Sequence, residues 1–410
     1  MATTGRRAFL RHLTVGVAGG GCPGHAARSA VTTGLVTAGT VTDGPRARSG
    51  LAQEIATGRV PWLDEVQRPP PGFAAGTTRP PPPLVPGAAA AAALGERAGA
   101  DGDADLPPTA DTWPRLRQRI ERAWLDLLGA MPPPPPLAAE VLREDEVGGC
   151  RRQLVRYACE ADVVAEAYLL FPPGDVPGTL ARGRPGVVAL HSTTDSTNEC
   201  IAGLRDGPDR RLGVELARRG HVTVCPRCFL WQDRAGYAEQ VRRFRARHPG
   251  ALGIRKMLHD AGRAVDLLVA TEGVDAARIG CVGHSLGAKE AMYLAAFDRR
   301  IRATVAHDGG LGRRQSNWEA DWYLGPDVPA AFDHHQLLAL AAPRAMLVQG
   351  GGEGAADGAA SWPFVAAALP VYRLHAGPAA LGLDVHDGGH RLTDRAVARL
   401  VEWLAAFLTA

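Results

Sequence analysis

From residue 186 onward short apolar runs alternate with helical patterns, and one junction in that alternation is sterically demanding: Gly283-His284-Ser285-Leu286-Gly287. Upstream, Arg278–Val282 reads as a short buried strand. Downstream, Ala288–Ala296 reads as a helix with apolar spacing at Met292, Leu294, Ala295 and Ala296. A serine on a sharp strand-to-helix turn needs glycine two residues before and two after it, because larger side chains would strike the strand and the helix. The turn sets the serine oxygen at a helix N-terminus, where developing negative charge is favoured. Alone, the pentapeptide would arise by chance in roughly one in ten chains of this composition. Its flanks decide for a nucleophile elbow.

The rest of the chain sets the frame. With 410 residues and 46 % hydrophobic content there is room for one large α/β domain with a real core. A net charge of +3, with no basic run interleaved with aromatics, excludes a nucleic-acid partner. Lys256 and Lys289 are the only lysines; every other cationic side chain is arginine or histidine. No apolar run reaches the eighteen or so residues of a membrane span. Oligomeric state is not readable.

Three regions follow. Residues 1–30 carry Arg6-Arg7-Ala8-Phe9-Leu10 ahead of a weakly apolar, glycine-rich stretch, the pattern of a twin-arginine export signal, which predicts a periplasmic or extracellular protein. Cys22 follows Gly19-Gly20-Gly21, a poor lipidation box. Residues 31–110 are rich in proline and alanine and read as linker or as a segment wrapped on the surface. Residues 111–410 form the catalytic domain. It opens with a capping residue and Pro114 leading a helix with Leu116, Ile120, Trp124 and Leu127 on one face. Period-two patterning from Val141 to Phe171 then predicts an antiparallel meander.

Strands are expected at Gly186–Leu190, His221–Cys225, Arg278–Val282, Ile301–Ala306, Ala345–Gln349 and Val371–His375, with a strand-like Leu381–His386. Helices are expected near Arg211–Arg219, Leu258–Ala270, Ala288–Phe297, Pro363–Leu369 and Arg395–Leu408. The fold class is therefore α/β: a mostly parallel central sheet, helices on both faces, and an antiparallel N-terminal meander.

An activated serine needs a base, an acid that orients the base, and donors for the oxyanion. His390, in the turn Asp387-Gly388-Gly389-His390 before the last helix, is the expected base, with His375 and His386 as rivals. For the acid, Asp357 in the loop after the 345–349 strand leads, with Glu353 in the same loop and Asp308 at the end of the 301–306 strand as alternatives. The oxyanion donors are expected to be the backbone N–H groups of Leu286 and, from the loop after the 186–190 strand, Thr193. His284 is assigned to core packing.

Together with the elbow, Leu190-His191-Ser192-Thr193-Thr194, Ala342-Pro343-Arg344, Asn317–Gly325, Asp333–Leu338 and Gly389-His390 resemble the α/β-hydrolase superfamily over roughly residues 110 to 408. Within it the chain is similar to dienelactone-hydrolase-like and acetyl-xylan-esterase-like serine hydrolases. The resemblance implies cofactor-free ester hydrolysis through an acyl-serine, on a small-molecule or glycan ester such as an acetylated carbohydrate. Two departures narrow it. Dienelactone hydrolases proper use a cysteine nucleophile, and glucuronoyl esterases carry arginine where Leu286 stands. A serine peptidase of the same fold and a catalytically inactive binding module are the alternative readings.

Other groupings rank lower. Cys225-Pro226-Arg227-Cys228 has redox spacing without a second pair, and Cys150 and Cys159 are candidates to face each other across a hairpin. Asp384, His386, Asp387 and His390, or His334 with His335, have the composition of a metal cluster, but the expectation is no metal. Trp231, Trp318, Trp322 and Tyr323 either wall a substrate pocket or form an apolar seam.

Overall fold

The computed structural model describes residues 60–76, 78–85, 107–174, 183–233, 235–352 and 357–408. The export-signal segment, Cys22 and Glu353 lie outside them. Nine strands form one sheet in the order β1-β2-β3-β5-β4-β6-β7-β8-β9. The meander comprises β1 (Glu140–Val147), β2 (Cys150–Glu160) and β3 (Val163–Phe171), and it joins the sheet antiparallel to β5 (Val222–Pro226). Gly148 and Gly149 close the first hairpin, both at positive φ (58° and 81°), the backbone that a two-residue turn between twisted strands requires. The remaining pairs are parallel, through β4 (Arg184–Leu190), β6 (Val274–His284), β7 (Ile301–His307), β8 (Ala345–Gly351) and β9 (Leu381–His386).

Helices cover both faces, so the parallel strands are apolar on both sides and read as continuous hydrophobic runs. Alternate strand residues divide between two cores: Val188 and Leu190 face one, Val187 and Ala189 the other. On the first face pack α2 (Trp113–Leu128), α6 (Gly253–Ala270), α7 (Leu286–Phe297), α8 (His334–Ala341) and α9 (Trp362–Tyr372). On the second lie α1 (Leu63–Val66), α3 (Thr197–Ile201), α4 (Leu212–Ala217) and α10 (Asp394–Leu408). A further helix, α5 (Tyr237–Arg247), adds Val241 and Phe244 to the first core. No helix of the described residues is long and apolar enough to cross a membrane.

Residues 60–67 pack beside β9. Leu63 and Val66 are buried, Trp62 stacks on Trp403 of α10 at 5.8 Å between ring centres, and Glu65 pairs with Arg399 at 2.7 Å. A Cβ on Gly382 of β9 would strike Val66, so the bare glycine is what lets this segment lie close.

Three expectations are corrected. Residues 371–375 are not a strand: α9 continues through Pro370 to Tyr372, with Val371 and Tyr372 buried, and the chain then turns. Pro370 lies in the last turn of α9, where the helix tolerates it. Thr112 precedes α2 with helical backbone and makes no side-chain cap; its hydroxyl pairs with Thr109 instead. Cys150 and Cys159 do not face each other, since both lie on β2, nine residues and about 30 Å apart along an extended chain. Both are free and buried, as are Cys225 and Cys228.

Trp403 is fully buried while Trp62 is half-buried. Trp403→Ala should cost about 3–5 kcal/mol in urea unfolding, as large aromatic truncations in cores do. Trp62→Ala should cost less, about 1–2 kcal/mol, lost with the stacked pair. No effect of Trp62→Ala would show that residues 60–67 are not docked on α10.

Candidate active site

The six parallel strands, β4 to β9, end on one edge of the sheet, and the chemistry collects there. Ser285 is the residue between β6 and α7, with φ 56° and ψ −109°, a backbone that side-chain-bearing residues rarely adopt. Packing enforces it. A Cβ on Gly283 would overlap the Gly287 carbonyl, and a Cβ on Gly287 would overlap the Leu190 carbonyl at the end of β4. The Ser285 N–H donates to His307 O at 2.8 Å, pinning the turn to β7. Leu286 is the first residue of α7, so its N–H has no acceptor within the helix and points out of the helix N-terminus.

Of the expected residues, the structure brings Ser285, His390 and Asp357 into one hydrogen-bonded chain. His390 Nε2 lies 2.9 Å from Ser285 Oγ, and His390 Nδ1 lies 2.7 Å from Asp357 Oδ2. A carboxylate only accepts, so Nδ1 carries the proton and Nε2 is free to accept from the serine hydroxyl. Asp308 stands just beyond. One oxygen of it, one of Asp357 and a His390 nitrogen lie within 4.8 Å of one another, while Asp308 Oδ1 accepts from the Gly351 N–H at 2.8 Å. His375 is not among these contacts, and His386 stacks on His307 at 5.1 Å between ring centres. Thr193 is exposed in the loop after β4. That loop is held from below: His191 Nδ1 donates to Ser192 O at 2.7 Å, and His191 Nε2 accepts from the Cys228 N–H at 3.1 Å.

His284 is buried as its assignment to core packing expected, but its partners and other residues of this region escaped the sequence. His284 hydrogen-bonds through Nδ1 to Asp209 at 2.9 Å; Asp209 in turn accepts from the Ser192 N–H at 3.1 and 3.2 Å. Asp209 therefore ties the elbow strand to the loop after β4. Lys289, one turn along α7 from Ser285, is also buried. Its Nζ donates to Gly309 O at 2.6 Å and Ser316 Oγ at 2.9 Å, and lies 3.9 Å above the Trp318 ring. Burial pushes its pKa down to about 7. The signal was present in the composition, since both lysines of this arginine-biased chain are buried. Trp318 and Tyr323 are buried in the seam around Lys289, whereas Trp231 and Trp322 are half-buried and meet across Tyr237.

Asp384, His386, Asp387 and His390 do not converge as a four-residue cluster. Asp384 instead accepts from Gln349 at 3.0 Å and pairs with Arg399 at 2.6 Å. His334 and His335 diverge on α8, where His334 Nδ1 accepts from the Gly312 N–H and its ring meets Trp318 at 4.1 Å.

Residues 200–323 match the dienelactone hydrolase family. A glucuronoyl esterase from Solibacter usitatus superposes with a TM-score of 0.60 at 19 % identity, covering 75 % of this chain and 96 % of that one. The chain has the α/β-hydrolase fold. A promiscuous esterase of carbohydrate esterase family 15 from a marine bacterial metagenome superposes on this chain with a TM-score of 0.58 at 16 % identity, covering 82 % and 99 % of the two chains. The 4-O-methyl-glucuronoyl methylesterase 1 of Sodiomyces alcalophilus is 35 % identical over 115 residues, 21 % of this chain. That match spans only 23 % of the curated relative's length.

The hydrogen bond to Asp357 raises the pKa of His390 above its ordinary 6.5, against burial and the nearby Lys289, with Asp308 adding to the rise. A base must be neutral to accept a proton, so a raised pKa moves the acidic limb of activity upward. The acidic limb of kcat/KM should therefore lie above pH 6.5. Asp357→Asn should move it down and lower kcat on the order of 10⁴-fold. The same loss from Asp308→Asn, with Asp357→Asn near wild type, would assign the orienting role to the other carboxylate.

Proposed function

We propose that the protein is a serine-dependent carboxylic ester hydrolase working through an acyl-enzyme on carbohydrate or other small esters. The observation that carries this reading is the unbroken chain Ser285 Oγ–His390–Asp357 at the N-terminus of α7. In the first half-reaction Ser285 Oγ attacks the ester carbonyl carbon as His390 Nε2 takes the hydroxyl proton. The oxyanion forms against the Leu286 and Thr193 N–H groups. Collapse breaks the carbon–oxygen bond, and the alcohol leaves with the proton from His390. Water then attacks the acyl-serine, His390 takes the water proton and returns it to Ser285, and the carboxylic acid departs. Asp357 holds the imidazole in the tautomer both halves require.

Relatives named for glucuronoyl and carbohydrate esters support a sugar-linked substrate. Two ester types fit that class: an acyl group on a sugar hydroxyl, or an alcohol esterified to a uronic acid. Leu286 is apolar and buried, so the residue after the nucleophile offers no cation to a uronate. That favours the acetylated carbohydrate. An exported protein would meet such polymers directly, in keeping with the arginine pair at residues 6 and 7.

Hydrolysis should be measured on acetylated xylan, p-nitrophenyl acetate and a methyl glucuronate ester, with wild type and Ser285→Ala. The expected result is turnover of the acetyl esters that falls at least 10³-fold in the variant. Preference for the methyl glucuronate would reverse the substrate assignment. Equal inertness of wild type and variant on the whole panel would remove the enzyme reading.

A further inference from the structure

Beneath the catalytic chain lies a second set of side chains that neither give nor take a proton in the proposed chemistry. His284 ends β6, His307 ends β7 and Asp308 follows it; His284 and His307 are direct partners in the parallel ladder. All three are buried. One donor atom from each lies within 4.8 Å of the other two. Asp308 Oδ2 is 3.1 Å from His307 Nε2 and 3.8 Å from His284 Nε2, yet none of the three atoms makes a well-formed hydrogen bond.

The tautomers explain why. His284 Nδ1 faces the Asp209 carboxylate, which only accepts, so the proton is on Nδ1 and Nε2 presents a bare lone pair. His307 Nδ1 faces Gln349 Oε1 at 3.3 Å. That amide's orientation is fixed, because Gln349 Nε2 donates to Asp384 Oδ2 at 3.0 Å and Ala396 O at 3.1 Å. Hence His307 Nδ1 also carries its proton, and its Nε2 is a second bare lone pair. Asp308 Oδ2 is a third acceptor. His386 is excluded from the set: its Nδ1 accepts from the Gly388 N–H at 3.2 Å, leaving its proton on Nε2, which faces the other Asp308 oxygen at 3.9 Å. Three acceptors therefore converge in a dry interior with no donor between them. Such an arrangement is costly unless a cation fills it.

Charge points the same way. Asp209 and Asp308 are two buried carboxylates, and among the described residues neither pairs with an arginine or lysine. We propose that His284 Nε2, His307 Nε2 and Asp308 Oδ2 form a structural site for a divalent transition-metal cation, zinc being the best match to two imidazoles and a carboxylate. Donors on a tetrahedral zinc with bonds of about 2.0–2.1 Å stand about 3.3 Å apart, which the 3.1 and 3.8 Å separations bracket. The supporting contacts are those of a metal centre, each imidazole donating its other N–H to an oxygen of Asp209 or Gln349. Three protein donors leave the fourth position to water. Bound there, the cation ties the residue before Ser285 to the end of β7, where Asp308 holds the strained φ of 55°.

The test is metal content and zinc binding, both independent of whether the protein hydrolyses esters. Purified full-length protein, freed of metal by chelation, is titrated with Zn²⁺ against a chromophoric chelator, and elemental analysis is run after dialysis. The expected result is one zinc per chain and a thermal midpoint raised by about 5 °C or more on binding. Ser285→Ala should bind like wild type, while His307→Gln and His284→Gln should lose at least tenfold in affinity. Wild type that takes up no zinc would overturn the site. Full retention of zinc by both histidine variants would overturn it equally. The wild-type titration needs no substitution, so it decides for or against the site even where a variant fails to fold.

Discussion

The site depends on a steric fact: there is no room for a side chain at Gly283 or Gly287. Because both positions are bare, α7 begins directly against the end of β4, and β6 passes into α7 within one residue. Ser285 must then take the strained backbone that lifts its oxygen off the sheet, and the bond from its N–H to His307 O locks the lift in place. The helix N-terminus, the loop after β4 and the end of β7 all meet at that point. Remove the close approach and none of the later contacts can form.

Around this turn the sheet carries a polar row across its strand ends. His284, His307, Gln349 and Asp384 are successive partners across β6, β7, β8 and β9. Hydrogen bonds extend the row from Asp209 at one end to Arg399 and Glu65 at the other. Buried polar groups in such numbers are tolerated only where nearly every donor and acceptor has a partner. The row joins the strand that leads into Ser285 to the N-terminal segment, so that residues 60–67 brace the far end of the same network that begins beside Ser285. The one break in its bonding is the three-acceptor cluster at His284, His307 and Asp308.

Much of this architecture is legible in the sequence for identifiable reasons. Period-two runs mark the meander and the buried strands, and the glycine spacing marks the elbow, because each reflects a local rule. His390 and Asp357 are reachable because chain order and loop position constrain them. What stays hidden depends on register. Nothing local says that His284, His307 and Gln349 stand side by side, because that follows from how strands pair across gaps of twenty to forty residues. Asp209 is hidden for the same reason, as a loop residue meeting a strand seventy-five positions away. The false strand at 371–375 has the opposite origin: Pro370 and an apolar alternation imitate a local break that the packing of α9 overrides.

The central claim is that Ser285 is a nucleophile activated by His390. The most direct measurement is intact-protein mass spectrometry, with peptide mapping, after exposure to a fluorophosphonate, which traps an activated serine as a covalent phosphonyl adduct. The account predicts a single adduct on Ser285 in wild type, formed at least 10³-fold more slowly in His390→Ala. An unlabelled protein, or labelling of Ser285 at the same rate in both proteins, would contradict it.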